Sequence, residues 1–352
     1  MARTILCLAG DGIGPEIITA TKAVLDSVRS ILGAPIEYRD ADVGFTSLAN
    51  TGTTITDEVV AMAKAADGVI LGPVSHNAYP PVAEGGLNPS AVLRSSLELF
   101  ANIRPAKTYA GLQQPIEKPI DLVVMRENIE GFYADRNMFE GGGEFMPVEG
   151  VALAVRRITR EASENIARSA FSWAASRPEK HVTAIHKANV LRMSDGLFLE
   201  TVRAVAAEYS HVSYDEMLVD SAAAMLVRDP SRFDVIVTTN MFGDILSDLT
   251  AELSGSLGLG GSLNLGHHHV MAQAQHGSAP DIAGQDKANP VSLILSAAML
   301  LTHFEEFQAA RIIEDAVAEL LSSKTTRTGD VSGLLGCSAF TKILTETIEA
   351  AI

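Results

Sequence analysis

Short apolar runs alternate along the chain with longer segments in which apolar positions recur every three or four residues. The short runs predict buried strands. The longer segments predict amphipathic helices, because side chains at that spacing share one helical face. The sequence therefore predicts an α/β protein with a mostly parallel core. The predicted strands are 4–9, 68–71, 120–125, 181–185 and 233–238, and the predicted helices are 16–32, 57–66, 160–175, 196–209, 289–304 and 305–321.

A glycine-rich segment, Gly10-Asp-Gly-Ile-Gly-Pro-Glu16, joins the first predicted strand to the first predicted helix. Its spacing is G-x-G-x-G followed by proline, which differs from the G-x-G-x-x-G dinucleotide fingerprint. It also lacks the Gly-Lys-Ser/Thr of a phosphate-binding P-loop. We therefore interpret it as a tight turn into a helix whose first turn contains Pro15.

Two aspartates follow the apolar strand 233–239 in a segment that is predicted to be helical. Asp244 and Asp248 are four residues apart, so their carboxylates lie on one helical face and can converge on a cation. We expect no cationic side chain between them. Oxygen ligands favour Mg²⁺ or Mn²⁺ over zinc, and the C-terminal end of a strand is where α/β sheets bind ligands. A solvated acidic face is the alternative.

Three arginines lie in or next to apolar segments. Arg94 and Arg104 bracket the segment 93–105, and Arg126 ends the strand 120–125. Because guanidinium groups bind carboxylates in bidentate fashion, three of them could hold a dicarboxylate. Surface arginines with incidental ion pairs are the alternative.

The composition narrows the class of protein. A chain of 352 residues is long enough for about two domains. The net charge of −16 argues against nucleic acid as a partner. Two cysteines are too few for a disulfide framework, and no apolar run is long enough to cross a membrane. We expect a cytoplasmic protein that binds neither nucleic acid nor membrane.

With these features in view, the chain resembles the β-decarboxylating dehydrogenases that act on isocitrate, homoisocitrate, isopropylmalate, tartrate or malate. The resemblance covers essentially the whole chain, and the segments 240–248 and 276–280 are its most specific part. The matching segments, in order, are 10–16, 93–105, 124–133, 186–190, 219–220, 240–248, 276–284 and 288–290.

The resemblance implies a two-lobed, isopropylmalate-dehydrogenase-like fold, distinct from the Rossmann fold, with a mixed sheet flanked by helices. A large, cofactor-binding domain would comprise 1–101 plus 255–352. A small domain would comprise 102–254, with a dimerisation arm near 134–158 that the glycines at 141–143 also suggest as a hairpin. The implied assembly is a homodimer with shared active sites, in which Lys187 and Asp220 act in the neighbouring subunit's site.

The resemblance also implies a role for individual residues. Tyr133 and Lys187 would be the acid–base pair, and NAD and Mg²⁺ or Mn²⁺ would be the cofactors. The implied metal ligands are Asp220, Asp244 and Asp248, the implied carboxylate-binding residues are Arg94, Arg104 and Arg126, and the implied NAD-binding residues are Asn189, His276, Gly277, Ser278, Ala279, Pro280, Asp281, Ile282 and Asn289.

Taken without the resemblance, several of these residues have simpler explanations. Lys187 could be a surface lysine, Tyr133 a core tyrosine, and Asp220 the N-cap of a helix over 221–226. In the cofactor segment, Asp281 favours NAD because its carboxylate can accept hydrogen bonds from a ribose diol and repels a 2′-phosphate. The nearby Lys287 could weaken that preference.

The implied reaction is the oxidation of a (2R)-2-hydroxy acid with a β-carboxylate, followed by loss of CO₂. Ser90 and Asn88 precede Arg94, and we expect them to contact the C3 substituent. Their polar groups favour an isocitrate- or homoisocitrate-like di- or tricarboxylate. Isopropylmalate and tartrate or D-malate remain alternatives, as does a helix cap at Ser90 with Asn88 facing solvent.

Two other classes of function are weighed against this one. A non-catalytic regulatory subunit is disfavoured because Tyr133, Lys187 and all three aspartates are present. A metal-dependent phosphoryl-transfer enzyme is disfavoured because no phosphate-cradling Gly-Lys-Ser/Thr is found.

Overall fold

The computed structural model describes residues 2–133 and 142–352. The chain divides into two compact units, and each unit is made of more than one stretch of chain. The first unit comprises Met1–Leu97, Tyr109–Gln113 and Gly255–Ile352, and the second comprises Glu98–Thr108 and Gln114–Ser254. The first unit is therefore built from both ends of the chain.

The first unit contains five strands of mixed sheet. They are β1 (Arg3–Leu8), β2 (Ile36–Ala41), β3 (Gly68–Leu71), β11 (Leu263–Leu265) and β12 (Val270–Gln273). Their spatial order is β2-β1-β3-β12-β11. The pairs β2–β1, β1–β3 and β3–β12 are parallel, and the pair β12–β11 is antiparallel. This order differs from the 3-2-1-4-5-6 order of the Rossmann fold.

Seven helices of the first unit lie in its described residues. They are α1 (Gly14–Ser27), α2 (Phe45–Thr51), α3 (Asp57–Ala65), α4 (Pro89–Ser96), α9 (Val291–His303), α10 (Phe307–Leu321) and α11 (Cys337–Ala351). Helix α1 buries Ile17, Val24 and Leu25, as its apolar spacing predicts, but it ends at Ser27 and a short 3₁₀ turn replaces its predicted last turn. Helix α9 is buried along nearly its whole length.

Five strands of the larger sheet lie in the described residues of the second unit. They are β4 (Ala101–Lys107), β5 (Asp121–Glu127), β8 (His181–His186), β9 (Ser213–Leu218) and β10 (Val235–Thr238). Their order is β4-β5-β10-β8-β9, and among these pairs β4–β5 is antiparallel and the others are parallel. Because β5, β10 and β8 are parallel, their C-terminal ends meet at one edge of the sheet, where ligand-binding side chains are expected.

Four helices pack in the described part of the second unit. They are α5 (Arg160–Ser176), α6 (Ser194–Ala206), α7 (Val219–Arg228) and α8 (Asn240–Ser254). Helix α8 starts directly after β10, and Leu246 and Leu253 join a buried core with Val124 and Ile236 of the sheet. This packing turns the opposite face of α8 toward the end of the sheet.

A separate hairpin lies where an arm was predicted. Strands β6 (Glu144–Val148) and β7 (Val151–Ala154) pair in antiparallel fashion, and all of their residues are exposed. The part of the predicted arm at 134–141 lies outside the described residues. In the part of the chain that the structure describes, no helix is long and apolar enough to span a bilayer.

Candidate active site

In the second unit, two strands and one helix bring four charged side chains together. Neighbouring strands β4 and β5 supply Arg104 and Arg126, and helix α8 supplies Asp244 and Asp248 one turn apart. The helix can approach because residue 243 is glycine: a Cβ there would lie 2.6 Å from Cγ of Arg126. Two of the three arginines that the sequence singled out therefore meet Asp244 and Asp248 in the second unit.

Both arginines are bound to the helix. Arg126 pairs with Asp244 and donates from Nε and Nη2 to Oδ1 of Asn240, at 3.0 and 2.7 Å. Arg104 Nη1 lies 3.2 Å from Oδ1 of Asp248 and 3.5 Å from Oδ1 of Asp244. The expectation that no cationic side chain would lie between the two aspartates was wrong, because Arg104 contacts both carboxylates.

The charges in this cluster are unevenly buried. Burial, together with the neighbouring Arg126, lowers the pKa of Arg104 to about 10. The side chains of Arg104 and Arg126 are 8% and 4% exposed, whereas those of Asp244 and Asp248 are 38% and 54% exposed. Two buried guanidinium groups side by side need anionic partners, and a substrate carboxylate is chemically suited to that position.

The donor set fits a hard divalent cation, since Asp244 and Asp248 offer only oxygen ligands from partly exposed side chains. The third implied ligand, Asp220, does not join them. Within the described residues, the group of three acidic, histidine or cysteine side chains with ligand atoms within 4.8 Å of one another is Glu16, Asp286 and Cys337. One chain thus brings only two of the three implied ligands to a single point.

The other implied catalytic residues lie in the same unit. Tyr133 is partly buried, and the guanidinium carbon of Arg126 lies 6.0 Å from its ring centre. Lys187 follows strand β8 and pairs with Asp220. Asp220 lies in the first turn of α7 and not at its N-cap, and the hydrogen bond from Lys187 lowers its pKa. Asn189, two residues beyond Lys187, is exposed.

In the first unit, Arg94 and Ser90 share one hydrogen-bond acceptor. Arg94 Nη2 and Ser90 Oγ both donate to Oε1 of Gln273, at 3.2 and 3.1 Å. Asn88 is the N-cap of α4, and its Oδ1 accepts from the amide of Ala91 at 3.3 Å. The suggested cap at Ser90 was therefore wrong: Asn88 makes the cap, and Ser90 is buried against Gln273.

The segment expected to bind NAD is fixed through its backbone. The carbonyl of Ser278 accepts from the amide of Ile13 at 2.9 Å, and its hydroxyl lies 2.7 Å from that of Ser75. A Cβ at Gly12, whose φ is +57°, would lie 1.9 Å from the Ser278 carbonyl oxygen. The glycine-rich turn therefore serves close backbone contact with this segment.

Polar atoms in this segment suit a bound cofactor. The ring nitrogen Nε2 of His276 is buried and lacks a partner in the part of the chain described, and burial lowers the pKa of the ring. Asn289 donates to Asp330 at 2.9 Å, and the side chain of Asp281 is exposed. Lys287 donates to Oε1 of Gln285 at 2.9 Å.

The sequence reasoning missed several residues of these clusters. Asn240 is the first residue of the specific segment 240–248, but no pattern in the sequence indicated that its side chain binds Arg126. No sequence pattern identified Gln273 or Asp330, because the residues that they contact are distant in sequence. Asp195, which accepts a hydrogen bond from the backbone amide of Lys187, and its partner Arg156 were also missed.

Comparisons with known proteins place the chain. A family model described as isocitrate/isopropylmalate dehydrogenase matches residues 4–348. The chain is 40% identical to an isocitrate/homoisocitrate dehydrogenase of Thermus thermophilus over 351 residues, which covers 99% of this chain and 100% of that protein. It is also 40% identical to the 3-isopropylmalate dehydrogenase of Archaeoglobus fulgidus, covering 96% of this chain and 97% of the relative.

Two further comparisons bear on function and fold. A mitochondrial protein of Dictyostelium discoideum, named as regulatory in its NAD isocitrate dehydrogenase, is 40% identical over 99% of this chain and 93% of its own length. The crystal structure of isocitrate dehydrogenase from Methylococcus capsulatus matches with a TM-score of 0.89 and 36% identity, covering 99% of both chains. The predicted fold, a mixed sheet flanked by helices, is confirmed.

Proposed function

Because the chain belongs to the isocitrate/isopropylmalate dehydrogenase family, we propose that it catalyses the NAD-dependent oxidative decarboxylation of a 3-substituted (2R)-malate. Buried Arg104 and Arg126 beside Asp244 and Asp248 are the observation that carries this proposal. Positive groups that are ready to bind carboxylates lie next to oxygen ligands suited to a divalent cation.

In this reaction, different residues bind the substrate and transfer protons. Arg104 and Arg126 hold the carboxylates of the hydroxy acid, so that its C2 hydroxyl is fixed. Lys187 in its neutral form, acting through Asp220 or a water molecule, takes the proton from that hydroxyl, and Tyr133 returns a proton to the carbon that loses CO₂. A cation held by the aspartates would supply Lewis-acid stabilisation of developing charge on oxygen, and NAD would supply the hydride acceptor.

The site is proposed to be shared within a homodimer. Asp220 and Lys187 form one cluster, and Asp244 and Asp248 belong to another, which supports a site that a second chain completes. Exposed apolar side chains flank both clusters: Val190 and Met193 follow Lys187 and are 66% and 90% exposed, and Ile245 follows Asp244 and is 59% exposed. The β6–β7 hairpin exposes five more, which favours a partner surface. They are Phe145, Met146, Val148, Val151 and Leu153.

The first unit is proposed to supply the cofactor side. His276 to Ile282 and Asn289 would hold NAD, and Asp281 would accept hydrogen bonds from the adenosine ribose. The hydrogen bond from Lys287 to Gln285 supports NAD over NADP, because it engages a lysine near the segment that could otherwise bind a 2′-phosphate.

Isocitrate or homoisocitrate is the proposed substrate class. Ser90 is buried beside Arg94 and Gln273, which gives that part of the first unit hydroxyl, amide and guanidinium groups. Such groups suit a carboxylate-bearing substituent better than an isopropyl group. Asn88 is less suited to contact the substituent directly, because its side-chain oxygen already caps helix α4.

The test is an absorbance assay for NADH with a panel of isocitrate, homoisocitrate, isopropylmalate, tartrate and D-malate. We expect turnover that depends on added Mg²⁺ or Mn²⁺, with the highest kcat/KM for a tricarboxylate. The highest kcat/KM for isopropylmalate would overturn the substrate assignment while leaving the reaction class intact.

A non-catalytic role is the second candidate, because one relative is named as regulatory. Retention of Tyr133, Lys187 and the three aspartates argues against it. Absence of turnover by the purified chain with every acid of the panel, with both NAD and NADP, would favour it.

Mixing two inactive variants tests the shared site. Chains carrying Lys187→Ala and chains carrying Asp244→Asn should regain part of the activity in hybrid dimers, because one of the two sites is then intact. No recovery, with exchange of chains confirmed, would place all these residues in one chain's own site.

A further inference from the structure

Arg156 lies in the interior of the second unit between three segments. Its side chain is 8% exposed and forms an ion pair with Asp195. Nη1 also donates to Oγ of Ser194 at 3.0 Å, and Nη2 donates to Oγ1 of Thr239 at 2.9 Å. One buried guanidinium group thus joins the start of α6 to the residue that precedes α8.

Asp195 connects this arginine to the proposed base. Its side chain is fully buried, and one carboxylate oxygen pairs with Arg156. The other oxygen accepts from the backbone amide of Lys187 at 2.5 Å. The turn that presents Lys187 is therefore held by the same carboxylate that holds Arg156.

Two aromatic rings complete the surroundings of Arg156. Its guanidinium carbon lies 5.4 Å from the ring centre of Phe242 and 5.9 Å from that of Phe132. Phe242 lies on α8, two residues before Asp244, and Phe132 precedes Tyr133. Cation–π contact of this kind orients both segments against the same charge.

A buried ion pair is a poor way to gain stability, because desolvation offsets most of its attraction. Its use is to fix geometry, since each partner is costly to leave unpaired and so tolerates few arrangements. The segments that meet here carry Lys187, Tyr133 and Asp244. Neither Arg156 nor Asp195 has a role in the proposed chemistry.

We propose that Arg156 and Asp195 are positioning residues that hold the Lys187 turn in register with the start of helix α8. The proposal rests on the proposed function. In the homodimer described above, Lys187 and Asp244 of one chain serve two different sites. The pair therefore sets the geometry of a base in one site and of a cation ligand in the other.

The test compares Arg156→Met with Arg156→Lys in the full-length protein. Arg160→Met is the matched control, because Arg160 is 55% exposed and pairs with Glu200 at the surface. Steady-state kinetics are measured beside NAD binding, thermal unfolding and hydrogen exchange of the peptide that contains the Lys187 amide.

Arg156→Met is expected to lower kcat at least about tenfold, because small displacements of a catalytic group have large effects on rate. The Kd for NAD should change much less than kcat, because all the implied NAD-binding residues except Asn189 belong to the other unit. Exchange at the Lys187 amide should rise. Arg156→Lys should recover much of kcat by keeping one charged donor to Asp195, and Arg160→Met should change nothing.

A folded Arg156→Met protein with wild-type kcat, or with wild-type exchange at Lys187, overturns the proposal. If Arg156→Met does not fold, Thr239→Val removes one acceptor of Arg156 without leaving a buried charge unpaired, and it should still lower kcat. Unchanged kcat in that variant also overturns the proposal. The proposed function is tested independently, because absence of turnover by the wild-type protein would refute it. In that case, hydrogen exchange at the Lys187 amide still tests whether Arg156 and Asp195 hold the turn.

Discussion

The charged cluster of the second unit is held by side chains, whereas the cofactor segment of the first unit is held through its backbone as well as through side chains. Around α8, buried Arg104 and Arg126 reach Asp244 and Asp248 through guanidinium–carboxylate contacts. In the cofactor segment, the carbonyl of Ser278 is bound by a backbone amide. Glycine appears in both regions for the same steric reason, as Gly243 and Gly12 show.

This contrast predicts which kind of substitution should impair the charged cluster and which should impair the cofactor segment. In the charged cluster, the chemical identity of each side chain carries the function, so isosteric changes of charge should be severe. In the cofactor segment, function depends on the path of the backbone. A larger side chain should therefore impair it more than a change of charge. Asp281 is the exception, because its exposed carboxylate is expected to select the cofactor.

The largest expected effect comes from Asp244→Asn, which keeps shape and removes charge. We expect kcat to fall at least about 10²-fold, because a bound cation supplies several kcal/mol of stabilisation at the transition state. Binding of NAD, measured by titration, should hardly change. Asp315→Asn, at an exposed position of α10, is the control. Full activity in excess chelator would refute the metal assignment.

A smaller effect is expected at the exceptional residue of the cofactor segment. The wild-type protein should favour NAD over NADP in kcat/KM by at least about tenfold, since repulsion between two close charges costs on the order of 1–4 kcal/mol and about 1.4 kcal/mol is a factor of ten. Asp281→Lys with Ile282→Tyr should shift the ratio toward NADP. Lys287→Ala should change it little. A wild-type ratio that favours NADP would contradict the role given to Asp281.

Alanine at the two glycines compares the regions directly. Each Cβ would overlap a neighbour, at 2.6 Å for Gly243 and 1.9 Å for Gly12, so each variant should lose about 1–3 kcal/mol of stability. Gly243→Ala should raise KM for the hydroxy acid, and Gly12→Ala should raise KM for NAD. Gly196→Ala is the control, because nothing lies within 4 Å of its Cβ position. The same KM rising in both variants would show that the regions are not independent.

The smallest expected effect is on stability and follows from Glu127, which comes directly after Arg126. Burial raises the pKa of Glu127 from 4.5 to about 7, although its oxygens accept from the amides of Ile129 and Glu130. The folded protein therefore keeps a proton that the unfolded chain loses. The contribution of Glu127 to stability is fully present below its unfolded pKa and declines as pH rises through about 7.

Denaturant unfolding of wild type and Glu127→Gln measures this decline. Between about pH 5 and about pH 8, wild type should lose about 2–3 kcal/mol relative to the variant. An equal pH dependence in both proteins would show that Glu127 keeps an ordinary pKa in the fold.

The sequence predicted those elements whose residues repeat a clear pattern. Strands β3, β5, β8 and β10 are short apolar runs, and the family and fold inferred from the matching segments are confirmed. Strand β9 was missed because its charged residues pair at its surface and break the apolar run, as with Asp215 and Glu216. Strand β4 was missed because it carries Arg104 and Pro105.

Within the candidate site, the types of residue were predictable and their contacts were not. The spacing of Asp244 and Asp248 is local, so one helix suffices to infer that they converge. The contact of Arg104 with Asp248 joins residues far apart in the chain and depends on how β4 lies beside β5. No local sequence pattern encodes this long-range contact. For that reason the expectation that no cationic side chain lies between Asp244 and Asp248 was wrong.

The division of the first unit between both ends of the chain has a consequence for synthesis on the ribosome. Strand β12 pairs with β3 through contacts such as Met271 with Val69, so this sheet cannot be completed until the last part of the chain has emerged. The second unit, by contrast, is complete at Ser254. We therefore expect protease-resistant fragments of 114–254 in stalled nascent chains before any fragment of 1–97 becomes resistant, which inverts the usual order in which N-terminal segments fold first.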